Sequence, residues 1–69
     1  MIIKEGTKLT VLHLRKGKFE GIATKDFDTV KTEFYPIATL EYVRGMANEW
    51  GAGDTIECRN TLCEIFPHK

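Results

Sequence analysis

Little in this sequence points to chemistry, and what it lacks narrows the field. Charge of neither sign is in excess: ten lysines and arginines face ten aspartates and glutamates. A dedicated duplex-DNA binder normally carries a basic surplus, so that class is not expected. No apolar run is long enough to span a bilayer, and no membrane partner is expected. The opening Met1-Ile2-Ile3-Lys4-Glu5-Gly6 is charged by its fourth residue and has no leader-like apolar stretch, and no lipidation motif occurs. The cytoplasm is therefore the expected compartment. Only two cysteines are present, without a Cys-x2-Cys knuckle. A phosphate loop is missing too: Gly51-Ala52-Gly53-Asp54 has neither the Lys-Ser/Thr pair nor a following helix.

What remains is a chain of 69 residues, 42% of them hydrophobic. That length suits a single domain, residues 1–69, and that composition supports one small core. Charge is divided along the chain. Residues 1–32 hold seven basic groups and four acidic ones, and residues 33–69 hold three and six, so the halves carry +3 and −3. The plain reading is that the halves attract and fold together; the functional one is a bipolar surface.

The local pattern is that of β-structure. Residues 8–14 and 19–24 alternate in polarity around Arg15-Lys16-Gly17-Lys18, a turn signal. A loop of Lys16-Gly17 predicts a hairpin pairing Leu14 with Phe19, His13 with Glu20, Leu12 with Gly21 and Val11 with Ile22. One face then carries Leu12, Leu14, Phe19, Gly21 and Ala23. Gly21 marks a bend or bulge in that reading. Residues 33–40 are strand-like, and Pro36 demotes them to an edge or a bulge. In 39–50 helical spacing competes with Gly45 and with Tyr42-Val43-Arg44-Gly45, which favours strand and loop. A second hairpin centred on Asn60-Thr61 pairs Cys58 with Cys63 and Ile56 with Ile65, and sets Glu57 against Glu64. The expected fold is all-β: a small antiparallel five-stranded SH3-like or OB-like barrel, with room for one short helix within 39–50.

Candidate chemistry is thin on this framework. Cys58 and Cys63 are cross-strand neighbours in the second hairpin, about 4.5–5.5 Å apart at Cα and within disulfide reach. Without an export signal, two buried thiols are the expected state, with a disulfide and a metal site as the alternatives. His13 and His68 would complete a Cys2His2 set, but cysteines directed into an apolar core do not present themselves to a metal. No metal and no cofactor are expected. His13 beside Glu20 is either an acid–base pair or the polar pair of a half-exposed sheet face, and no third member of a triad is in view. Glu57 and Glu64 have no substrate cleft between them. The chain is not expected to be an enzyme.

The stretches Lys16-Gly17-Lys18-Phe19-Glu20-Gly21-Ile22-Ala23, Glu33-Phe34-Tyr35-Pro36 and Glu49-Trp50-Gly51-Ala52-Gly53-Asp54-Thr55-Ile56-Glu57-Cys58-Arg59 resemble short uncharacterised proteins of bacteria and their phages. The resemblance implies a small intracellular accessory protein and no activity. The Gly53-Asp54 turn before an alternating strand resembles turns of SH3-like barrels, which is a fold-level analogy.

Two functions remain open. One is a non-catalytic interaction module that binds a protein partner or a copy of itself through an edge strand and exposed aromatics. The other is a small single-stranded nucleic-acid binder that uses the basic first hairpin. The residues expected to carry binding are Arg15, Lys16, Lys18, Lys25 and Lys31, with Phe27 and Tyr35 as stacking groups.

Overall fold

The computed structural model describes residues 1–44 and 49–68, and of Glu57 the backbone alone. Among the described residues there are nine strands and no helix: β1 (Ile2–Ile3), β2 (Lys8–His13), β3 (Gly17–Ala23), β4 (Phe27–Asp28), β5 (Phe34–Thr39), β6 (Val43–Arg44), β7 (Glu49–Trp50), β8 (Thr55–Arg59) and β9 (Cys63–Pro67). The all-β expectation holds. Of the segment where strand competed with helix, 39–44 and 49–50 are strand, bend and irregular backbone. Gly45 lies outside the described residues. No helix among the described residues is long and apolar enough to cross a membrane.

One five-stranded sheet, in the order β8-β5-β3-β2-β9, makes the body of the protein. Every pairing in it is antiparallel. Two short ribbons, β1–β4 and β6–β7, supplement it. Side chains alternate across a strand, so each strand sends every second residue to one face. Leu9, Val11 and His13 of β2, Phe19, Gly21 and Ala23 of β3, Tyr35, Ile37 and Thr39 of β5, and Ile56 and Cys58 of β8 are buried in this way. Cys63 of β9 is buried with them, and Ile65 packs against the same cluster. The ribbons complete the core with Ile3, Phe27, Val43 and the partly buried Trp50.

The first hairpin forms, but in a different register. Val11 is opposite Phe19, Leu9 opposite Gly21 and His13 opposite Gly17, around a turn of Leu14-Arg15-Lys16. The expected pairing is thereby displaced by an odd number of residues, which exchanges the two faces of β2. Leu12 and Leu14 are exposed, and Leu9, Val11 and His13 point inward. The cause is that β2 is apolar on both faces, so hydrophobicity alone does not select one. Gly17, with φ +75°, takes the left-handed conformation that lets β3 start immediately after the turn.

The second expected hairpin does not form. Ile56, Cys58, Cys63 and Ile65 do share the inner side, but β8 pairs with β5 and β9 with β2. Residues 60–62 therefore join the two opposite margins of the sheet. Since β8 and β9 are not hydrogen-bonded as strands, the ladder is not closed into a ring. Glu57 is opposite Pro36 and Glu64 opposite Leu12, so the two glutamates are not cross-strand neighbours.

Pro36 does not mark an edge, because β5 lies between β3 and β8. The Pro36 carbonyl accepts the Thr24 N–H at 2.9 Å. The missing Pro36 N–H therefore faces the same side, where β3 has already ended at Ala23. Gly21 is neither a bulge nor a left-handed residue. It is regularly paired with Leu9 on one side and Thr39 on the other. What it supplies is room: a Cβ there would stand 2.6 Å from Ile37 Cγ2 and 3.0 Å from the Ala38 carbonyl oxygen.

Candidate functional site

The turn of the first hairpin and the 60–62 connection meet because His13 is opposite Cys63 and the Leu14 N–H donates to the Leu62 carbonyl at 3.0 Å. Between them lies an open cleft of about 540 Å³. Its walls are Leu12, Leu14, Gly17 and Lys18 from the hairpin and residues 60–64 from the connection and β9, and it reaches His13 and Cys63. Leu12 (43% exposed) and Leu14 (80%) of this wall, and Phe66 (47%) beyond the cleft, put apolar side chains into solvent. They share the outer face of the β2–β9 pair, where Thr10 is opposite Phe66 and Leu12 opposite Glu64.

Polar groups hold the hairpin end in place. His13 Nδ1 accepts the Arg15 N–H at 3.0 Å, which requires a neutral ring with its proton on Nε2. Lys16 Nζ stands 3.3 Å from that Nε2 and 5.2 Å from the centre of the Trp50 ring. Two donors do not bond each other, so the cation–π contact with Trp50 is what favours Lys16 here. The expected His13–Glu20 pair is absent. Glu20 instead reaches His68, with Oε1 3.4 Å from Nε2, and the Thr10 hydroxyl lies 2.7 Å from the same nitrogen. The second Glu20 oxygen is buried with no hydrogen-bond partner among the described residues.

Cys58 and Cys63 are buried thiols. The Cys63 thiol donates to the Arg59 carbonyl at 3.3 Å. The hydrogen bond with Cys58 holds the Cys63 thiol below its ordinary pKa; burial opposes this, and the nearby Lys16 ammonium adds to it. Tyr35 is shifted upward, first by burial and then by the charge that Cys63 acquires. His68 is turned to the outer face with Thr10, away from any set with the thiols. Among the described residues, no three His, Cys, Asp or Glu side chains come together in a way that could hold a metal ion.

The residues expected to bind are dispersed. Arg15, Lys16 and Lys18 belong to the first hairpin, and Lys18 lines the cleft. Lys25 is exposed beyond the far end of β3, and a strand of roughly 20 Å separates it from Lys18. Lys31 is exposed in the turn after β4, its N–H donating to the Asp28 carbonyl at 3.2 Å. Phe27 and Tyr35 are buried, their ring centres 5.3 Å apart at an interplanar angle of 31°. They stack on each other in the core and offer no face to a base. The surface residues that sequence reasoning missed are Leu12, Leu14 and Phe66. The available signal was that β2 has more apolar positions than one face can bury. The chain matches no protein-family model, no curated protein and no solved structure.

Proposed function

We propose that the chain is a non-catalytic interaction module that docks a protein partner, or a second copy, on the outer face of the β2–β9 pair. The observation that carries this reading is the exposed set Leu12, Leu14 and Phe66 beside an open cleft. Apolar side chains grouped on one surface and rimmed by charge, here Lys18 and Glu64, mark interaction surfaces. A standard interface takes about 800 Å² from each partner, roughly a sixth of the 4585 Å² this protein presents.

Docking through the face is favoured over addition of a strand to β9. The His68 N–H donates to the Lys8 carbonyl and the Leu14 N–H to the Leu62 carbonyl, so the even-numbered residues of this stretch turn their backbones toward β2. Cys63, Ile65 and Pro67 turn theirs outward, and Pro67 has no N–H to offer. Proline on the open side of an edge is a common guard against strand addition. The same reading includes an SH3-like barrel. Its support is the strand order, a meander of β2, β3, β5 and β8 with β9 returning beside β2, together with the meeting of β8 and β9 at Cys58 and Cys63.

The test is sedimentation velocity across a concentration series for wild type and Leu14→Lys, joined to photo-crosslinking from position 14 in cells that make the protein. Position 30 serves as control, because Val30 is 79% exposed on another loop. Self-association lost in Leu14→Lys, or a discrete crosslinked protein from position 14 and none from position 30, is expected. A monomer at every concentration with no position-specific crosslink refutes the proposal.

A further inference from the structure

The two thiols occupy an unusual position. Cys58 is in β8 and Cys63 in β9, the two outermost strands of the five-stranded sheet, yet both side chains belong to one core cluster, and the Cys58 thiol is the main influence that lowers the Cys63 pKa. Their environments differ in one respect. The cleft is lined by Cys63 and not by Cys58. Cys63 retains 8% exposure while Cys58 has none.

We propose that Cys63 is a thiol–disulfide exchange site open to small disulfides through the cleft, that Cys58 is its resolving thiol, and that the resulting bond fastens the two margins of the sheet together. The reaction partner is a low-molecular-weight disulfide such as oxidised glutathione. In the first step Cys63 releases its proton to solvent, and its thiolate attacks one sulfur of that disulfide. The S–S bond breaks, a mixed disulfide forms on Cys63, and one glutathione leaves as thiolate. In the second step Cys58 loses its proton and attacks the Cys63 sulfur, which expels the second glutathione. The two protein thiols give up two electrons, glutathione disulfide accepts them, and the released protons end on the two glutathione thiols.

Local chemistry supports this order of attack. The Lys16 ammonium and the Cys58 hydrogen bond favour the Cys63 thiolate, the nucleophilic form. Lys18 on the cleft wall suits the carboxylates of glutathione, while Glu64 on the other side opposes them. In a reducing compartment a bond of this kind is transient and reports redox state.

The experiment treats the folded, reduced full chain with oxidised glutathione, quenches with acid at intervals, and maps each cysteine by mass spectrometry. Wild type is expected to lose two thiols with a mass loss of two hydrogens, passing through a glutathione adduct on Cys63. Cys58→Ser is expected to stop at that adduct. Cys63→Ser is expected to remain unmodified over the same interval. Should either variant fail to fold, the site of the first adduct in wild type decides alone. An adduct found first on Cys58, or thiols that stay reduced until denaturant is added, overturns the proposal.

Discussion

Replacing Gly21 by alanine should destabilise the protein, although residue preferences say the reverse. Glycine inside a strand normally costs about 0.5–1 kcal/mol relative to alanine, so this exchange would be a gain at an open position. Here the new methyl group would lie 2.6 Å from Ile37 Cγ2 and 3.0 Å from the Ala38 carbonyl oxygen. Neither neighbour yields easily. Ile37 is fully buried and β-branched, hence stiff at χ1, and the Ala38 oxygen belongs to the backbone of β5. Overpacking of this kind costs about 1–3 kcal/mol, which leaves a net loss of about 1–2 kcal/mol after the backbone gain. A domain this small is held by roughly 3–10 kcal/mol in total, so the loss is substantial. At about 4–8 °C per kcal/mol it lowers Tm by roughly 5–15 °C. Urea titration followed by Trp50 fluorescence and far-ultraviolet circular dichroism would measure it. Gly51→Ala is the control, because its nearest neighbour would be an Asp54 carboxylate oxygen at 3.7 Å. A Gly21→Ala variant as stable as wild type, or more so, would refute the packing of β3 against β5.

The buried Thr39 hydroxyl donates to the Glu41 carbonyl at 2.6 Å and accepts the Glu41 N–H at 3.2 Å. Thr39→Val should therefore cost about 1–2 kcal/mol in the same titration, and no change would mean that this loop is not held as described. Asp26 is kept below its ordinary pKa mainly by the Glu5 N–H, with burial opposing and Lys4 assisting. Its contribution is full above the usual carboxylate range and disappears as pH falls through the lowered value. Asp26→Asn should accordingly flatten the acid limb of a stability–pH curve, and superimposable limbs would dispose of the Asp26–Glu5 contact. Once formed, the Cys58–Cys63 bond closes a short loop and should add about 2 kcal/mol by restricting the unfolded chain. An oxidised protein that melts below the reduced one would show that the two strands do not meet as described.

How far the fold was legible depends on what each strand's alternation determines. Period-two patterning assigns side chains to a face, and it correctly placed Ile56, Cys58, Cys63 and Ile65 on one side. It does not name the neighbouring strand. The turn at Asn60-Thr61 suggested that β8 and β9 pair with each other, whereas β8 pairs with β5 and β9 with β2, both earlier in the chain. In β2 the pattern failed to choose even the face, because Leu9, Val11 and His13 compete with Leu12 and Leu14. The pairing with β9 decides it, and that pairing is remote in sequence. Buried His13 was illegible for a related reason: its Nδ1 is satisfied by the turn that follows, through the bond from the Arg15 N–H. The basic hairpin was readable as a cluster, while the burial of Phe27 and Tyr35 depends on how β4 returns beside β1.

The pairing of β2 with β9 also governs how the protein comes into being on the ribosome. Leu9 to His13 are made some fifty residues before the strand that covers their far side, which consists of residues 63–67. Until those emerge from the exit tunnel, β2 is hydrogen-bonded on one side at most, and its inward leucine and valine lack their cover. Sheets assembled from such distant segments fold on the order of milliseconds to seconds. Emergence of residues 63–67 is therefore the event that completes the five-stranded sheet.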